Sequence, residues 1–94
     1  MPQITPNTHI AKDTSQVIDR IVDGEALVIH LQSGEYFSLN PVGTRIWELL
    51  SGEQTLGQIA DVLVQEYDVT REQAQADIIT LAADLIRERL AVVV

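Results

Sequence analysis

The chain has 94 residues, enough for one domain with a single modest core and not for a separate catalytic domain. Six Lys and Arg stand against 14 Asp and Glu, and the formal net charge of −8 excludes nucleic acid and anionic membrane, which demand clustered positive charge. There is no cysteine, hence no disulfide, thiol nucleophile or thiolate metal site. With no apolar run of about 18 residues and no signal-peptide pattern at the N-terminus, the expected location is cytoplasmic.

Residues 1–14 hold two prolines and no periodicity, which predicts a flexible or loosely docked lead-in ahead of one domain over 15–94. Next, QVIDRIV and EALVIHL flank Asp23-Gly24, the favoured pair for a two-residue hairpin turn with positive φ at both centres. That turn sets Val22 opposite Glu25, Ile21 opposite Ala26 and Ile18 opposite Ile29. A second turn at Ser33-Gly34 returns Glu35–Leu39 as a third strand, with Leu31 opposite Tyr36 and Val28 opposite Leu39. The middle strand, Ala26–Leu31, is almost wholly apolar, which predicts cover on both faces. Helices would supply one cover; the N-terminal segment, a second subunit or a partner would supply the other.

Asn40 is a good N-cap and Pro41 suits the first helical position, so the third strand stops there and a helix begins. This first helix is predicted over Pro41–Ser51, with Val42, Ile46, Trp47, Leu49 and Leu50 as its apolar face and Gly52 ending it. Thr55-Leu56-Gly57-Gln58 fits a capping box, and Leu56, Ile59, Ala60, Leu63 and Tyr67 follow at helical spacing. Thr70-Arg71-Glu72-Gln73 opens a third helix running to Arg89, and Ala91–Val94 reads as a short tail strand. The predicted fold class is α+β: a three-stranded antiparallel sheet followed by a three-helix bundle, winged helix-turn-helix-like.

Two features point towards peptide binding. The third strand follows a tight hairpin and is expected to be the last of its sheet, so its unpaired N–H and C=O groups form a template for an extended peptide. On the third helix, Ala74, Ile78, Leu81 and Leu85 form one stripe. Ile79, Ala82, Ala83 and Ile86 widen the apolar arc to roughly 200°, against the 100° or so that a core-facing helix needs. Either the sheet or the first helix covers this flank, or it walls a groove beside the edge strand.

Other chemistries find no support. His9 and His30 are too far apart for a local ligand pair, and no zinc-protease, nucleophile-elbow or phosphate-loop motif occurs. Trp47 reads as core. Asp77 and Asp84 lie on the polar side of the third helix, where solvation suffices, although Asp77 is also placed to accept a hydrogen bond from a bound peptide. As a DNA-recognition helix, the third would set Arg71, Arg87 and Arg89 against Glu72, Asp77, Asp84 and Glu88; its net negative charge rules that mode out.

The run GEYFSLNPVGTRIWELLSGEQTL, then IADVLVQEYDV, then a helix with Asp77, Ile78, Leu81 and Leu85, resembles the PqqD-like family over about residues 16–93. These are recognition elements of pathways that modify ribosomally made peptides. The resemblance implies no catalysis and no cofactor. It implies binding of a precursor's leader segment as an added strand on the third strand, against the third helix, and its delivery to a separate modifying enzyme or leader peptidase. Carried onto this chain, the main chain of Glu35, Tyr36, Phe37, Ser38 and Leu39 would bond the leader. Tyr36 or Phe37, with Ile78, Ile79, Ala82, Leu85 and Ile86, would form the anchoring pocket, and Asp77 lies beside them. The free-standing pattern looks closest to lasso-peptide members, with pyrroloquinoline quinone biosynthesis or a homodimeric interaction module as the alternatives.

Overall fold

The computed structural model describes residues 3–94 and contains two three-stranded antiparallel sheets and three helices. In chain order the elements are β1 (His9–Lys12), β2 (Val17–Val22), β3 (Glu25–His30), β4 (Tyr36–Leu39), α1 (Pro41–Leu49), β5 (Ser51–Thr55), α2 (Leu56–Glu66), α3 (Arg71–Arg87) and β6 (Ala91–Val93). One sheet has the order β2-β3-β4 and the other β5-β1-β6.

The first hairpin forms as its sequence dictates. Asp23 and Gly24 both take positive φ (53° and 79°), and Val22 pairs with Glu25, Ile21 with Ala26 and Ile18 with Ile29. The second connection is longer than the expected Ser33-Gly34 turn. His30 N–H donates to the Glu35 carbonyl (2.9 Å) and Gly34 N–H to the His30 carbonyl (2.9 Å), closing a four-residue loop over Leu31–Gly34. Gly34 ends that loop in the left-handed region at φ 76°. Tyr36 therefore faces Ile29 and Phe37 faces Val28, a shift of two positions from the predicted pairing. A shift of two keeps every side chain on its predicted face, because side chains alternate with period two.

The lead-in expectation is overturned for the described residues. Residues 9–12 form β1, the central strand of the second sheet, and Ile10 is fully buried. Its partners are β6, the predicted tail strand, and β5, where the sequence had suggested only the end of a helix. Gly52 makes β5 possible: it takes φ 84°, and a Cβ there would lie 3.0 Å from Val94 Cγ2 and 3.3 Å from Ala11 Cβ. The β5-β1-β6 sheet takes the place of a wing, so the winged-helix description holds loosely.

The apolar middle strand is covered on one face only. Ala26, Val28 and His30 are buried on the side that meets α1, whereas Leu27 and Ile29 are half-buried on the other. Around them Ile18, Val22, Leu31 and Tyr36 are each more than half exposed. The N-terminal segment does not cover this face because β1 is committed to the second sheet.

The core joins the inner face of β3 to the helices through Trp47, Leu50, Leu56, Ile59, Leu63, Ile78 and Leu90. Trp47 Nε1 donates to Asp19 on β2 (2.6 Å), and Lys12 Nζ stands 5.6 Å from its ring centroid, so α1, β1 and β2 meet at one side chain. Thr55 and Gln58 form the complete capping box. Arg45 forks onto Glu66 across α1 and α2 (both bonds 2.8 Å), and that hydrogen-bonded pairing holds the Glu66 carboxyl below its ordinary range.

Candidate functional site

β4 pairs only with β3, so one side of the strand is an open sheet edge. The His30–Glu35 bond fixes which groups point there. Along an antiparallel ladder hydrogen-bonded pairs alternate, so Glu35, Phe37 and Leu39 turn their main chain towards β3. Tyr36 and Ser38 then present their N–H and C=O groups to the open edge. At the end of this ladder the buried Thr44 hydroxyl stands between strands: Ala26 N–H donates to Thr44 Oγ1 (2.7 Å), which donates to the Leu39 carbonyl (3.1 Å).

The sheet's other edge, β2, is open too but defended. Asp19 and Arg20 sit side by side in its middle, and adjacent charges there discourage strand addition. A second copy pairing about the middle of β2 would set Asp19 against Asp19 or Arg20 against Arg20. β4 carries no charge and no proline.

Beside the end of β4 lies an open hollow of about 480 Å³, lined by Ser38, Leu39, Asn40, Val42, Gly43, Ile46, Val69, Asp77 and Leu81. The first turn of α1 forms its floor. Asn40 caps that turn by accepting from Gly43 N–H (2.7 Å), and Gly43 lets Leu39 and Leu81 approach closely from either side. α3 supplies the far wall through Asp77 and Leu81.

Several predicted pocket residues lie elsewhere. Ile78, Ala82 and Leu85 are 0, 1 and 3 % exposed and belong to the core. Ile86 lines a different hollow, with Asp13, Gln16 and Ala91 near β6. Ile79, seven residues earlier, shares that side of α3 and is packed partly against the core. The wide apolar flank of α3 is thus taken up by the core and the β6 side rather than by the edge strand, since β1 and β6 form a second sheet for it to meet. Of the two aromatics, Phe37 turns inward and is half-buried, whereas Tyr36 is 71 % exposed on the outer face. Leu81 is the lining residue that pocket prediction missed; it had been assigned to the core stripe, and its place at the rim depends on how α3 sits against β4. Glu35 lies beyond the strand's first residue, in a second hollow with His30, Arg87 and Arg89.

Among the described residues no cluster of His, Asp and Glu could hold a metal ion, and no helix is long and apolar enough to cross a membrane.

The family model for coenzyme PQQ synthesis protein D matches residues 25–91, well over half of the chain. The chain belongs to the PqqD family. Among solved structures it is similar to TbiB1 in complex with the TbiA(beta) leader peptide, with 32 % identity over 86 % of this chain and 93 % of that one, at a TM-score of 0.79. It also shares its fold with a lasso peptide synthetase B1 complexed with the leader peptide, at 24 % identity and a TM-score of 0.77, covering 92 % of this chain and 98 % of that one. No curated protein matches the chain. The PqqD fold here is α+β, with the β4 edge, the first turn of α1 and the exposed side of α3 meeting around one hollow.

Proposed function

We propose that this PqqD-family chain is a non-catalytic binder of the leader segment of a ribosomally made precursor peptide. The observation that carries the reading is the uncharged, unpaired β4 edge standing beside the hollow that α3 walls. An extended leader would bond the main chain of Tyr36 and Ser38, and alternate side chains would enter the hollow between Phe37, Leu39 and Leu81. The likeness to TbiB1 supports this choice of ligand, because that protein was solved with a leader peptide and its similarity covers most of both chains. The same likeness favours lasso-peptide maturation over pyrroloquinoline quinone biosynthesis. In this reading the chain hands its peptide to a separate modifying enzyme or leader peptidase in the cytoplasm.

A protein-interaction role for the outer face of the β2-β3-β4 sheet is the second reading, favoured by the exposed Ile18, Val22, Leu31 and Tyr36. A homodimer or an enzyme partner would use that face without closing the β4 edge.

Ser38→Pro tests the first reading. Proline removes the outward N–H while remaining compatible with an edge strand. Calorimetry with a leader peptide that binds the wild type should show affinity falling at least about tenfold, given one lost backbone bond and a blocked edge. Unchanged affinity in a folded variant would sink the reading.

A further inference from the structure

We propose that the hollow at the end of β4 reads a basic side chain of the bound peptide, with Asp77 as the charge that selects it. The inference rests on the peptide-binding reading and specifies its ligand.

Asp77 is the only ionisable residue lining this hollow, and it is exposed. Most of the remaining lining is apolar: Leu39, Val42, Ile46, Val69 and Leu81. Other acids on the helices have cationic partners: Asp61 pairs with Arg71, Glu66 with Arg45, and Asp84 with Arg87 at 3.0 Å. Asp77 has none among the described residues. Its one bond is from Gln73 Nε2 to Oδ1 (2.8 Å). Gln73 is placed to close a capping box on Thr70 but spends its amide on Asp77, which fixes the carboxylate one helical turn on.

A peptide strand laid along β4 would remove water from this carboxylate. An apolar anchor would leave it desolvated and unpaired, which is costly. A Lys or Arg side chain meets both demands. Its hydrocarbon stem lies over Leu81 and Val42, and its charged head reaches the rim where Asp77 stands. The overall charge of −8 adds long-range attraction of the same sign.

The test is selection from a display library of random 14-residue peptides against the wild type, Asp77→Asn, Asp77→Lys and Ser38→Pro, each first shown to be folded by circular dichroism. The expected wild-type result is a family of peptides with Lys or Arg enriched at one register position among alternating apolar residues. Asp77→Lys should enrich Asp or Glu at that same position. In a synthetic wild-type binder, replacing the basic residue by Met should weaken affinity about two- to tenfold, as for a partly screened charge pair. The same replacement should have no effect on Asp77→Asn. Peptides that need an intact β4 edge but show no basic preference, or the same preference in Asp77→Lys, would overturn the charge-reading proposal and leave leader binding standing. If no selected peptide is lost in Ser38→Pro, strand addition itself fails, and this proposal with it.

Discussion

Thr44 stands where the β3–β4 ladder runs out, and its hydroxyl serves two main-chain groups at once. An isosteric valine would leave the Ala26 N–H and the Leu39 carbonyl buried without partners. Thr44→Val should therefore lower stability by about 1–3 kcal/mol, seen as an earlier urea midpoint with an unchanged slope. The side chain does more than lend stability, because Leu39 is also the last residue of the proposed docking edge. Among single residues, Gly52 and Gly34 are the other conformational specialists: each holds a positive φ that shapes a connection the sequence had not announced.

At the scale of elements, α3 separates core from site with little margin. Ala82 is 1 % exposed, so Ala82→Arg should abolish cooperative thermal unfolding. Leu81, one residue earlier, lines the hollow and is only half-buried. Leu81→Glu should keep the fold and weaken peptide binding about tenfold or more by calorimetry, through lost apolar contact and repulsion from nothing but water-exposed acids. The helix ends in a Schellman arrangement, with Leu90 N–H donating to the Leu85 carbonyl and Arg89 N–H to that of Ile86. Arg89 occupies the left-handed position at φ 63°, where glycine is usual. Arg89→Gly should raise stability by about 0.5–1 kcal/mol, readable as a higher denaturant midpoint. Helix boundaries and the first hairpin were legible because Asp23-Gly24, Asn40-Pro41, Thr55 and Thr70 act locally. β5 was not legible: SGEQT has little strand propensity, and it is extended only because β1 pairs with it. The same long-range pairing hid the true orientation of α3. The edge strand could be read from one hairpin, whereas the pocket wall required knowing what the other flank of the helix touches.

At the scale of the whole molecule, β1 ties together segments that are distant in sequence. It lies between β5 and β6, its Ile10 is fully buried, and Val94 N–H donates to the His9 carbonyl (3.0 Å). Deleting residues 1–12 should leave β5 and β6 without a common partner and give a chain with no cooperative melting transition by circular dichroism. A truncation that melted like the full chain would show the second sheet to be dispensable. The acidic charge spread over this frame favours a basic ligand at every approach, which agrees with the selectivity argued for Asp77.

The two sheets also differ in when they can exist. Residues 17–39 contain everything the β2-β3-β4 sheet needs, in two local hairpins, so this sheet is available early during synthesis. The β5-β1-β6 sheet must wait for residues 91–93, and α3 precedes them by only a few residues. A nascent chain therefore passes through a stage with a bare, sticky β4 border and no helix beside it. Its neighbours β2 and β3 can shield only one side of that border. A peptide captured at that stage would meet backbone alone, and discrimination between ligands would begin only after the last helix arrives.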